Sequence, residues 1–221
     1  MVRESFHEQL DKLRGDIVRM GNLVVNAIDM ATTAFKRRDM DLAEKVVMDD
    51  EKIDRLELEI EKKCMSLLAL QQPLARDLRF IGTALKINTD LERIGDYACN
   101  IAKIVLTIGK EPFIKPLVDL PHMAELCRQM VKDNLNAFIN QDREKALATA
   151  KKDHEVDHLY QEVFQELLAL MMQNSQNIRQ ATFLLMIARH LERIGDHATN
   201  LSEWIIYMVS GERLELNEKL F

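Results

Sequence analysis

A hexapeptide written twice constrains this chain more than any other feature. Leu91-Glu92-Arg93-Ile94-Gly95-Asp96 returns one hundred residues later as Leu191-Glu192-Arg193-Ile194-Gly195-Asp196. An identity of that length at a fixed offset marks an internal duplication. Each copy sits in a helical pattern. Ile87, Leu91, Ile94, Ala98 and Ile101 recur at spacings of four and three, and so do Ile187, Leu191, Ile194 and Ala198. At about 100° per residue, Glu92, Asp96 and Asn100 form a second stripe away from the apolar one, matched by Glu192, Asp196 and Asn200. Gly95 and Gly195 fall beside the apolar stripe in mid-helix, where each costs about 1 kcal/mol against alanine. Close approach of a neighbouring helix would offset that cost.

The duplication extends well beyond the hexapeptide. Met123, Leu126, Met130 and Val131 repeat Met20, Leu23, Ala27 and Ile28 at an offset of 103, and Val156-Asp157-His158-Leu159 repeats Ile53-Asp54-Arg55-Leu56 at the same offset. The connector Gln173-Asn174-Ser175 is three residues shorter than its counterpart around Gln72-Pro73, which changes the offset to 100. In the first half the stripe Leu10, Leu13, Ile17, Met20, Val24, Ala27, Ala31 and Phe35 predicts a helix from near Ser5 to Arg38. A second is predicted after Asp39, through Leu42, Val46, Ile53, Leu56, Ile60, Leu67 and Leu70, and a third from Pro73 to about Ile108. Between the halves, Pro112, Pro116 and Pro121 exclude a helix interior. The expected fold is all-α: two tandem three-helix bundles related by internal duplication, six long helices in all. Residues 1–110 form the first repeat, 111–121 a proline-rich linker and 122–221 the second repeat. With 7 Gly and 4 Pro among 221 residues, the composition is that of a helical protein.

Charge and motif content narrow the function. The net charge of −6 and the lack of a basic run argue against nucleic-acid binding. No apolar stretch is long enough to span a membrane, and the first ten residues lack the apolar core of a signal peptide, so a cytoplasmic protein without membrane insertion is expected. Cys64, Cys99 and Cys127 are odd in number and far apart, which suits a reducing compartment and core packing. Phosphate-loop, dinucleotide-fold and nucleophile-elbow motifs are absent. His154-Glu155-Val156-Asp157-His158 matches the zincin pattern, but its first-half counterpart Glu51-Lys52-Ile53-Asp54-Arg55 keeps only the aspartate. A carboxylate-bridged di-metal oxidase of ferritin type needs an inward Glu-x-x-His on each of two helices. Glu155/His158 and Glu4/His7 have that spacing but do not occupy equivalent positions.

The duplication also singles out a second pair of acids. Asp50 and Asp54 correspond to Asp153 and Asp157, again one helical turn apart. Each half therefore offers two acids on its second helix and two on its third. If those helices pack together, Asp50, Asp54, Glu92 and Asp96 converge in one half, and Asp153, Asp157, Glu192 and Asp196 in the other. Four unneutralised carboxylates repel or shift their pKa values upward, and a multivalent cation resolves both. Oxygen-only ligands favour Mg²⁺, Ca²⁺ or Mn²⁺, and Fe³⁺ for its charge, with Zn²⁺ also open. The competing reading is a solvated helix face.

The two LERIGD copies, with Gln72-Pro73-Leu74-Ala75-Arg76-Asp77-Leu78-Arg79 opening the third helix, resemble the PhoU family of phosphate-signalling proteins over essentially the whole chain. The resemblance implies two three-helix bundles side by side. It implies a cytoplasmic, non-enzymatic regulator, homodimeric, that partners the phosphate ABC transporter ATPase and a phosphate-sensing histidine kinase and holds the starvation response off when phosphate is plentiful. It also implies metal, in some members multinuclear iron, at the E/DxxxD positions, here Glu92 and Asp96, and Glu192 and Asp196. His190 stands where Asp90 stands in the first copy, which implies that the two ligand sets differ.

Overall fold

The computed structural model describes residues 2–71 and 73–216; Gln72, half of the expected Gln-Pro break, lies outside them. The first half folds as α1 (Val2–Arg37), α2 (Met40–Gln71) and α3 (Ala75–Ile108). The second folds as α4 (Asp119–Asn140), α5 (Arg143–Ala150), α6 (Asp153–Gln173) and α7 (Ile178–Ser210), with a 3-10 turn over Ser175–Asn177. The expected bundles are present, with one difference: α5 and α6 together stand where α2 stands. Lys151 and Lys152 interrupt the second-half helix, where Lys152 N–H donates to Thr149 C=O and Glu155 N–H to Lys152 C=O in tight three-residue turns. Two further boundaries move. The third helix starts at Ala75, after Leu74, and not at Pro73. Pro121 lies in the first turn of α4, where its missing N–H has no helical partner to lose.

The duplication reaches down to the turns. Arg38 and Gln141, equivalent at offset 103, both adopt left-handed backbone, at φ 53° and 52°. The aspartate after each caps the next helix: Leu42 N–H donates to Asp39 Oδ1 at 3.0 Å and Lys145 N–H to Asp142 Oδ1 at 2.9 Å. Such caps contribute about 1 kcal/mol each.

Helices α3 and α7 pack against each other at the centre, with α2 flanking α3 and α6 flanking α7. Helix α1 covers the first pair, α4 covers the second, and α1 meets α4. The apolar stripes read from sequence fill the space between these rows. Ile87, Leu91, Ile94, Ala98 and Ile101 are buried, as are Leu13, Ile17, Met20 and Val24 of α1, while Ala27 is half-buried. Gly21 lets α4 close on α1, since Leu135 occupies the space its side chain would take. The linker is held from both sides. Phe113 packs edge-on against Phe35 at 5.2 Å. Gln180 on α7 accepts from Ile114 N–H at 2.6 Å and donates to Pro112 C=O at 2.9 Å.

Candidate functional site

In the first half, α2 and α3 approach closely because Gly95 has no side chain. A Cβ there would lie 3.0 Å from Ile53 Cδ1 and 3.9 Å from Asp50 Oδ1. The Asn88 side-chain amide, buried on α3, reaches across to Glu57 C=O on α2 at 3.0 Å. The expected acids then share one electrostatic field. Burial, then the charges of Asp50, Asp96 and Glu51, push the Asp54 carboxyl above its ordinary value, against the opposing pull of Lys103. Glu92 is pushed up by burial and by Asp96, with Glu57 and Asp54 adding to it and Arg93 opposing. Three members of this cluster lay outside the sequence expectation. Glu57 stands one turn beyond Asp54, Lys103 two turns beyond Asp96, and Cys99 on the same side of α3. Burial and a hydrogen bond to Asp50 push the Cys99 thiol up to about 11.

The equivalent acids in the second half are more deeply placed. Asp153, Glu192 and Asp196 are buried, against half-buried Glu92 and Asp96. Asp153 lies in the first turn of α6, and a Cβ on Gly195 would sit 2.6 Å from its Oδ1. Two guanidiniums face this set. Arg189 donates to Glu192 at 2.8 Å, and Arg193 donates to Asp196 at 2.8 Å while lying 3.6 Å from Glu192. In the first half the Arg189 position is Thr89, and Arg93 reaches Asp96 and Glu92 only at 3.4 and 3.5 Å. Arg189 also lies over the Tyr160 ring, 5.7 Å from its centre. Burial and the charges of Asp153 and Glu192 push the Cys127 thiol far above its ordinary value.

Among the described residues, no three His, Cys, Asp or Glu side chains are already gathered as ligands of one ion. The first-half acids fit a hard cation in charge and donor type: they are oxygen donors, and two have pKa values raised where a cation would lower them. The second-half set has positive charge beside it already, Arg189 on Glu192 Oε1 and Arg193 on Asp196 Oδ2, so a cation there would share the site with two guanidiniums.

His190 belongs to neither set. It and Asp90 face the seam between α3 and α7, not the acids. Asp90, buried, has His197 Nδ1 at 2.8 Å and accepts from Asn200 at 3.2 Å. The His190 ring lies beside Tyr97 at 5.6 Å, and burial holds its imidazole below the usual value. Asn200 thus faces the seam instead of extending the Glu192–Asp196 stripe. The zincin-like spacing and the Glu155/His158 oxidase spacing also point outward. Side chains of Glu155 and His158 are 56% and 70% exposed, which rules out an inward Glu-x-x-His there. The Glu4 side chain lies outside those described.

Comparison with known proteins follows the same duplication. The PhoU domain family matches the chain twice, over residues 17–105 and 120–205. A phosphate-specific transport system accessory protein PhoU homolog from Clostridium acetobutylicum is 37% identical over 219 residues, spanning 99% of this chain and 100% of that relative. One of the same description from Aquifex aeolicus is 42% identical over 205 residues, 93% of each chain. Crystal structures of PhoU from Pseudomonas aeruginosa and of the phosphate transport system regulatory protein PhoU from Streptococcus pneumoniae superpose with TM-scores of 0.91 and 0.89. Their identities are 35% and 32%, with 94% and 95% of this chain covered and 100% and 99% of theirs. With both halves matched and full-length relatives on either side, the chain belongs to the PhoU family.

Proposed function

We propose that the chain is a cytoplasmic, non-catalytic regulator of phosphate uptake that binds the phosphate transporter's ATPase and a phosphate-sensing histidine kinase, restraining the starvation response. The observation that carries this reading is the end-to-end match to accessory proteins of the phosphate transport system. The shape of the molecule supports it. Among the described residues the acids lie on helix faces beside packed seams, Glu155 and His158 point outward instead of forming the inward Glu-x-x-His of a di-metal oxidase, and no helix is long and apolar enough to cross a membrane. A net charge of −6 favours basic faces on the partners and sets association rate more than affinity.

Metal is part of the proposal. Asp50, Asp54, Glu92 and Asp96 would hold one or more hard cations, including bridged iron, and Asp153, Asp157, Glu192 and Asp196 would do so beside Arg189 and Arg193. A bound cation would supply the charge that lets α2 and α3 stay closely packed. A homodimer is the proposed assembly. The test is binding of the purified chain to the isolated transport ATPase and to the kinase at low salt, with and without Mg²⁺ or Mn²⁺. Binding to either, with no turnover of the chain's own, supports the reading; no binding to either under any condition overturns it.

A further inference from the structure

The two halves differ most on the outer face of α6. From Asp153 to Gln173 that helix carries five acids and no lysine or arginine, whereas the equivalent stretch of α2, residues 50–70, carries four basic residues among six acids. Phe164, Leu168 and Met172 stand one turn apart on its surface and are 38%, 42% and 81% exposed. Their counterparts in α2 are Glu61, Met65 and Ala69, so the duplicated fold does not require an apolar stripe there. The stripe runs for about 12 Å. An open recess lies alongside, lined by His158, Tyr160, Gln161, Glu162, Phe164 and Gln165, all on α6. The ion-pair partners of Glu155 and Glu162 are histidines, His122 and His158, while Glu166 pairs with Lys115 of the linker.

We infer that this face of α6 docks a basic amphipathic helix of a partner protein, one with apolar residues a turn apart and lysine or arginine along their flanks. Apolar anchors in a groove with an oppositely charged margin are the means by which such helices are held. A second copy of the chain is disfavoured as occupant, because two α6 faces would set the exposed acids Glu155, Glu162 and Glu166 against their own copies. The inference rests on the regulator reading and assigns it a surface.

The experiment is fluorescence anisotropy of a labelled Leu/Lys amphipathic helical peptide titrated with the full chain. A Leu/Glu peptide of the same apolar spacing serves as comparison. Phe164→Ser with Leu168→Ser should weaken Leu/Lys binding about tenfold or more, as loss of central apolar anchors does. Leu58→Ser with Met65→Ser on α2 should change it by less than about twofold. A second variant, Gln161→Lys with Glu162→Lys, keeps the apolar stripe and should weaken binding to a similar degree, so misfolding of the first would not leave the question open. Equal loss from the α2 and α6 variants would overturn the assignment, as would equal binding of the Leu/Glu peptide. So would conversion of a dimer to a monomer by the α6 change in sedimentation, since the occupant would then be a second copy. A chain that captures the transport ATPase yet ignores the Leu/Lys peptide overturns this surface alone and leaves the regulator reading standing.

Discussion

Asn134 and Ser202 form a polar pair in the core of the second half that the first half lacks. Asn134, 1% exposed on α4, donates to Ala198 C=O on α7 at 2.7 Å, and Ser202 Oγ donates back to Asn134 Oδ1 at 2.7 Å. The equivalent positions in the first half are Ala31 and Ala102, both fully buried. Asn134→Ala removes two buried hydrogen bonds, at about 0.5–1.5 kcal/mol each. The Ala198 carbonyl keeps its helical donor, and Ser202 has a fallback on that carbonyl, now 3.4 Å away. A small cavity adds to the loss, giving a cost of roughly 2–3 kcal/mol. Ser202→Ala leaves the Asn134 carbonyl oxygen buried without that donor, which costs about 1–3 kcal/mol. The double variant restores the first half's all-apolar pair, so its cost should fall short of the sum by about 1–2 kcal/mol. Urea unfolding of wild type, both singles and the double measures the coupling. Costs that add to within about 0.5 kcal/mol would show that the two side chains do not act as one unit.

The glycines of α3 and α7 offer a packing test by thermal unfolding. Gly82→Ala, with nothing within 4 Å of the new Cβ, should stabilise by about 0.5–1 kcal/mol, a rise of roughly 1–4 °C. Gly195→Ala must push the buried Asp153 carboxylate aside and should lower the midpoint despite the same gain in helix propensity; equal stabilisation by both would refute the close approach. Asp54 and Glu92 supply a pH test, because a carboxyl raised by folding destabilises the native state when ionised, and that penalty disappears as pH falls through the raised value. In chelator, Asp54→Asn with Glu92→Gln should therefore be more stable than wild type near neutrality, the gap closing toward the ordinary values of 3.8 and 4.5; a gap independent of pH would contradict it. For metal, Glu92→Gln with Asp96→Asn should empty the first-half site and leave any second-half content unchanged by mass spectrometry. Unchanged stoichiometry would return these acids to a solvated face.

Much of the fold was legible because its determinants are local and repeated. Stripes at spacings of three and four identify the buried faces, and the mid-helix glycines announce the close packing that Ile53 and Asp153 confirm. The break between α5 and α6 was not legible. Lys151-Lys152 is ordinary helix-forming material, and the turn there accompanies Lys152 and Lys145 pairing with Asp133 on α4, a tertiary contact with no sequence signature.

The site divides along the same line. The duplication pointed to four acids in each half, but their charge balance depends on which neighbours face them. The shared hexapeptide contains its own counter-ion, since Arg93 and Arg193 lie one turn before Asp96 and Asp196. On an isolated helix such a pair contributes about 0.2–0.5 kcal/mol in either half. Packing separates the copies: Asp196 and Glu192 are buried against α6 and meet two guanidiniums, while Asp96 and Glu92 stay half-exposed with one held loosely. A buried ion-pair network resists losing either sign of charge, because removing one partner leaves the other buried and uncompensated. Identical sequence thus sits in two electrostatic settings, one half-exposed beside a loosely held arginine and one buried against two, and one residue that distinguishes them is Arg189, where the first half has Thr89.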